Sequence, residues 1–132
     1  MHDTATFTLT GKPVTISFLD EPAIGHGQFR LVNQGQTRIV VAVDRAWFET
    51  SAGAPRPLSS LSAFDDDHNQ KLDPSRIDVP AGASLNVPIG FPRLAYAPSD
   101  GEECAIGLRV SSGAATREAR SQLVLVRRLP HK

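Results

Sequence analysis

The densest run of chemistry-bearing side chains is Asp65-Asp66-Asp67-His68-Asn69-Gln70-Lys71-Leu72-Asp73. Counted from Asp65, oxygen-bearing side chains fall at positions 1, 3, 5 and 9 (Asp65, Asp67, Asn69 and Asp73), and Lys71 at position 7 can offer its backbone carbonyl. Hard oxygen ligands at that spacing form the opening part of an EF-hand-like calcium loop. Two positions depart from the pattern: Gln70 stands where the sharp turn wants Gly, and Arg76 stands where the loop closes on a bidentate Glu. Shorter loops of the Asp-x-Asp-x-Asn type tolerate such losses with weaker binding. The competing reading is a solvated acidic tip built from Asx turns. Calcium is the one cofactor that the sequence puts forward.

Other chemistry is sparse. The four histidines, His2, His26, His68 and His131, stand far apart, and no Cys-x-x-Cys or His-x-His spacing exists, which argues against zinc. Ser59, Ser60 and Ser62 cluster in a Pro-rich stretch without a Gly-x-Ser-x-Gly elbow. No phosphate-binding glycine loop occurs. Cys104 alternates with Ile106 and Leu108, which marks it as a small core residue rather than a reactive thiol. The expectation is a chain without enzymatic activity.

The elements that must carry these residues are strands. Cys104, Ile106, Leu108 and Val110 recur at every second position, the period of a pleated strand and not of a helix. The same alternation runs through Phe7 and Leu9, through Val14, Ile16 and Phe18, and through Ile39, Val41 and Val43. Asn33-Gln34-Gly35-Gln36, with Gly35 supplying a positive φ, predicts a hairpin between Phe29–Val32 and Arg38–Phe48. Trp47, at the end of that second strand, is expected to cap the core. Thr50–Pro74 reads as a long irregular insertion. Pro80-Ala81-Gly82 marks a turn, and a last hairpin joins Cys104–Val110 to Gln122–Val126. Leu85, Val87 and Ile89 alternate around Pro88, which has no N–H to give a ladder. That strand is expected at a sheet edge or at a bulge, and Leu85, Val87, Pro88 and Ile89 form a candidate partner edge. The fold class is all-β: an immunoglobulin-like β-sandwich of seven or eight antiparallel strands, with a small closed barrel as the alternative.

Composition bounds the rest. The chain of 132 residues has the length of one domain, residues 1–132, and can bury a core without staples. Its 14 Lys and Arg balance 14 Asp and Glu, so nothing global draws it to nucleic acid or an anionic membrane. The charges are uneven along the chain: eight acids and three bases between Asp65 and Glu103, six bases and one acid between Ala105 and Lys132. No run approaches the roughly 20 apolar residues that span a bilayer, so no membrane insertion is expected. The start lacks a basic segment followed by an apolar run, so it does not read as a signal peptide. With one cysteine there is no intrachain disulfide, a lean toward a reducing, cytoplasmic compartment.

Two segments carry a resemblance. Phe29-Arg30-Leu31-Val32-Asn33-Gln34-Gly35-Gln36-Thr37-Arg38-Ile39-Val40-Val41 is a strand, an Asn-x-Gly turn and a second strand. Ile77-Asp78-Val79-Pro80-Ala81-Gly82-Ala83-Ser84-Leu85-Asn86-Val87-Pro88-Ile89 contains a Pro-x-Gly-x-Ser turn before an edge strand. Together they resemble the bacterial and archaeal immunoglobulin-like modules that accompany carbohydrate-active enzymes and build cell-surface adhesive proteins. Pilus-chaperone and sperm-protein-like sandwiches share much of this grammar. The resemblance covers roughly half of the chain and implies spacer, assembly or binding roles with no catalytic residues. The insertion at Thr50–Pro74 and the absence of a visible secretion signal depart from it. The expected function is a non-catalytic interaction or accessory module with a protein partner; the alternative is a calcium-binding accessory domain using residues 65–73.

Overall fold

The computed structural model describes residues 6–18, 25–50, 55–58, 63–65, 69–91 and 101–128. They form eleven strands: β1 Phe7–Lys12, β2 Val14–Phe18, β3 Gly25–Asn33, β4 Ile39–Thr50, β5 Arg56–Pro57, β6 Ala63–Asp65, β7 Gln70–Leu72, β8 Ile77–Val79, β9 Ser84–Phe91, β10 Glu102–Ser112 and β11 Ala115–Arg127. One sheet has the order β1-β3-β9-β6-β7; the other has β2-β11-β10-β4-β5, with β8 paired to β4. The two inner faces meet in a single core. It includes Leu31, Val41, Leu85, Val87, Ile89, Ile106, Leu108 and Val110, all of them buried. The period-two positions are therefore the sandwich interior, as expected. Full burial of each such side chain contributes about 1.5–3 kcal/mol. The strand count exceeds seven or eight because β5, β6 and β7 are only two or three residues long.

One long strand serves both sheets. β1 pairs with β3 in the first sheet, and after Pro13 the chain continues as β2, parallel to β11 in the second. Proline suits this corner because it cannot donate to either ladder. The sheets approach so closely here that a Cβ on Gly11 would collide with the Arg120 carbonyl, and one on Gly27 would come within 2.9 Å of Ile106 Cβ. Buried Ser121 fills the gap. Its hydroxyl accepts the Gln28 N–H at 2.9 Å and donates to the Lys12 carbonyl at 2.7 Å, bridging the last pair of the β1–β3 ladder.

The hairpin expected around Asn33–Gln36 does not form. β3 lies in the first sheet and β4 in the second, so the connection crosses between layers. Asn33 holds that crossing from a fully buried position. Its Nδ2 lies 2.9 Å from the Thr37 carbonyl, 3.1 Å from that of Val79 and 3.2 Å from that of Pro80, and its Oδ1 accepts the Gly35 N–H at 3.0 Å. Gly35 is not in the positive-φ region. It is needed for space, since a Cβ there would sit 2.6 Å from Thr6 Oγ1. Positive φ occurs instead at Gly82, Gly101 and Gly113, the last in the tight turn between β10 and β11.

Two further expectations change. Trp47 is buried, yet it does not cap the core. The register between β4 and β10 shifts at Arg109/Val110, which leaves Asp44 as an extra residue in a bulge. Beyond the bulge the inward positions are Ala46 and Phe48, and Trp47 turns outward onto Gly107, where any Cβ would enter the indole. The second concerns Thr50–Pro74, where three short strands, β5, β6 and β7, fall among the described residues. β5 extends one sheet, and the antiparallel pair β6–β7 extends the other. Strands this short are hidden from an alternation test.

Candidate functional site

Four of the five predicted calcium ligands, Asp65, Asn69, Lys71 and Asp73, are among the described residues. Asp65 pairs with Gln70 in the antiparallel β6–β7 ladder, and Asn69, next to Gln70, has φ 54°. Ala63 opposes Leu72, which packs against the core. By alternation Asp65 lies on the inner side, where it is buried, and Lys71 lies on the outer side, exposed. Asp73 stands three residues beyond Gln70, roughly 10 Å along the strand. Its Oδ1 accepts the Ser75 hydroxyl at 2.7 Å and the Ser75 N–H at 3.0 Å, which holds its carboxyl below the usual range. Asp67, with His68, lies outside the described residues. Among the described residues no group of three His, Cys, Asp or Glu could share a metal ion.

Other reactive groups are similarly engaged. Cys104 is buried in the core, and burial, with a smaller push from Glu102, raises its thiol to about 11, so it stays protonated at neutral pH. On the outer face of the second sheet, Trp47 Nε1–H donates to Glu49 Oε2 at 2.8 Å, and Arg120 Nε pairs with Glu49 Oε1 at 2.9 Å. Arg45 covers the indole, 4.9 Å above its centroid. Both oxygens of Glu49 thus have partners, and the aromatic face is closed. His26 is exposed on β3, while His2, His131, Ser59, Ser60 and Ser62 lie outside the described residues.

The strand of Pro88 is not the outermost strand of its sheet. β9 stands third of five, with an eight-residue ladder to β3 on one flank and a single pair, Ala63↔Ile89, to β6 on the other. The reason follows from Gln28, which is opposite Pro88. The Gln28 N–H points to Ser121, away from β9, so Pro88 turns its ring nitrogen to the β6 flank and ends that ladder there. Leu85, Val87 and Ile89 face the core.

Among the described residues, an outermost strand with open backbone groups lies elsewhere. The outer flank of β1 is closed by β11: Gly11 abuts Arg120, the Arg117 Nε donates to the Phe7 carbonyl at 3.2 Å, and its guanidinium sits 5.1 Å from the Phe7 ring centroid. β7 has three residues and an exposed Lys71, β5 is Arg56–Pro57, and β8 has three residues with Asp78 paired to Arg38 at 2.7 Å. Shortness, charge and proline are the usual guards of a sheet edge. β2, Val14-Thr15-Ile16-Ser17-Phe18, has no charge and no proline. The Arg128 N–H donates to the Phe18 carbonyl at 2.7 Å, which fixes the alternation. Val14, Ile16 and Phe18 address β11, while Thr15 and Ser17 turn both N–H and C=O outward, where no described strand follows. The alternation of this segment was visible in the sequence, but its edge position was not. The one available signal was a strand without Lys, Arg, Asp, Glu or Pro.

The chain matches no protein-family model and no curated protein. Solved structures share its fold. A Salmonella enterica SafA pilin in complex with the SafB chaperone aligns with a TM-score of 0.54 at 10% identity, over 100% of this chain and 59% of that chain. The Escherichia coli chaperone DraB aligns with a TM-score of 0.53 at 10% identity, over 92% and 54%. A family 123 glycoside hydrolase from Clostridium perfringens aligns with a TM-score of 0.56 at 4% identity, over 94% of this chain and 28% of that chain. The chain thus spans less than two thirds of each of these structures. At such identities the likeness establishes the fold, an immunoglobulin-like β-sandwich.

Proposed function

We propose that this chain is a non-catalytic interaction module that takes up an extended segment of a partner protein along β2. The observation that carries this reading is the contrast between β2 and the other strand edges. The other described edges are short, charged, covered or, on the β6 flank of β9, interrupted by Pro88, whereas β2 offers two outward N–H and two outward C=O groups on an uncharged strand without proline. Main-chain groups of this kind supply the affinity in strand addition, and alternate side chains supply the selectivity. The partner surface in this reading is Val14–Phe18 rather than Leu85–Ile89, whose strand has β6 beside it at Ile89. Two of the structures that share the fold, the pilin–chaperone complex and DraB, belong to chaperone systems, which fits a protein partner. The resemblance to accessory modules of carbohydrate-active enzymes and cell-surface proteins supplies a setting in which such a domain joins larger assemblies.

A selection from displayed random octapeptides tests the reading, with the Thr15→Pro protein as counter-target. This substitution removes an outward N–H and leaves the β2–β11 ladder intact. The reading predicts enriched peptides of alternating apolar character that bind the wild type and lose the Thr15→Pro protein. Peptides that bind both equally, or no enrichment, would overturn it.

A further inference from the structure

We propose that the strand taken up by this edge is β2 of a second copy of the chain, paired antiparallel about a two-fold axis through Ile16. The inference rests on the reading of β2 as an open edge and goes beyond it by naming the occupant.

The outward groups set the register. Within β2 only Thr15 and Ser17 face away from β11, so two copies exchange two full pairs of hydrogen bonds only with Thr15 opposite the second Ser17 and Ser17 opposite the second Thr15. That arrangement makes four main-chain hydrogen bonds and places Ile16 opposite itself. The side chains then match on both faces. Thr15 and Ser17, both exposed, meet hydroxyl to hydroxyl on the outer face, a favourable cross-strand pairing. On the inner face half-buried Val14 meets Phe18 and Ile16 meets Ile16, so the seam continues the two cores. The order apolar–hydroxyl–apolar–hydroxyl–apolar reads the same in both directions, which an isologous interface requires.

Charge does not oppose this pairing. β2 has no ionisable side chain, and the nearest base in register, Arg127 opposite Phe18, falls at opposite ends of the seam in the two copies. Four residues of strand separate those ends, roughly 13 Å, which exceeds the screening length of physiological salt. The second sheets of the two copies would become one continuous sheet. With the remaining described edges guarded, assembly closes at two. A five-residue seam is small beside a standard interface, so the dissociation constant should be micromolar rather than nanomolar.

Sedimentation velocity across about 5 to 500 μM, a range that brackets such an affinity, tests the pairing. The wild type should shift from monomer to dimer. Thr15→Pro should remain monomeric with a cooperative melt close to that of the wild type, and Ser17→Lys, which leaves the backbone untouched, should do the same. Mild oxidation should cross-link Ile16→Cys, because directly opposed residues at such a site lie about 4.5 Å apart at Cα, within disulfide reach. Thr15→Cys should not cross-link, since its two copies would be roughly 8 Å or more apart. A wild type that stays monomeric at the highest concentration, or a dimer unaffected by both Thr15→Pro and Ser17→Lys, overturns the proposal. If peptides are still selected on a monomeric wild type, the open-edge reading survives and self-pairing alone is refuted.

Discussion

Asn33→Ala should be among the most destabilising single changes in the chain. The Nδ2 of Asn33 has two hydrogens for the carbonyls of Thr37, Val79 and Pro80, and Oδ1 accepts the Gly35 N–H, so three full hydrogen bonds end on one buried side chain. At about 1 kcal/mol net each, their loss amounts to about 3 kcal/mol, and the buried backbone groups left without partners add to it. For a domain of this length that corresponds to a fall in melting temperature of roughly 10 °C. Urea titration at constant pH reads the change as a shift in midpoint with an unchanged slope. The isosteric Asn33→Asp separates hydrogen bonding from packing. It keeps the acceptor for Gly35 but turns an oxygen toward three carbonyls, so the introduced carboxyl should have a folded pKa above the usual carboxylate value. A raised acid pKa means that stability is retained at low pH and lost as pH rises through the folded pKa. Asn33→Asp should therefore approach the wild type near pH 4 and fall well below it at pH 7. A loss under about 1 kcal/mol for Asn33→Ala, no more than a single exposed hydrogen bond, would refute the role assigned to this residue.

Three other outcomes follow from the geometry. Gly107→Ala places a methyl where the indole of Trp47 lies, and should cost about 1–3 kcal/mol by overpacking while shifting tryptophan emission to the red. Calcium at millimolar concentration should leave the melting temperature unmoved, because the β6–β7 register separates Asp65 from Asp73; a rise that Asp67→Ala abolishes would show that residues 65–73 close around the ion after all. Cys104 should react slowly with a thiol reagent in the native state, and its titration should tilt stability at high pH. The unfolded thiol ionises near its ordinary value of 9.0 and the folded one at about 11, so stability falls between those values. The pH profile of Cys104→Ala should lack that decline.

The sandwich core was legible because burial between two sheets imposes a period of two, and Ile106, Leu108 and Val110 or Leu85, Val87 and Ile89 have nothing else to satisfy. What escaped reading are features set by distant partners. Asn33-Gln34-Gly35 has the composition of a hairpin turn, yet the carbonyls of Val79 and Pro80 capture the Asn33 amide and turn the chain into the other sheet. Trp47 changed faces because a single bulged residue, Asp44, inverts the alternation after it. Pro88 correctly announced a missing ladder, but on the flank toward β6 rather than at the margin of the sheet. The acidic run was legible as a cluster of oxygen-bearing side chains. Its division into a buried Asp65, an exposed Lys71 and an Asp73 tied to Ser75 depends on a three-residue strand pairing that leaves no periodic trace.

Residue-resolved amide exchange along β2 tests the central claim most directly. In dilute monomer, the N–H groups of Thr15 and Ser17 should exchange at rates close to those of exposed backbone, while those of Ile16 and Phe18, bonded to β11, should be protected. As protein concentration rises, or when a selected peptide is added, Thr15 and Ser17 should gain protection and Ile16 and Phe18 should change little. Strong protection of Thr15 and Ser17 in the dilute monomer would mean that the edge is already covered, and the account of β2 as a binding strand would be contradicted.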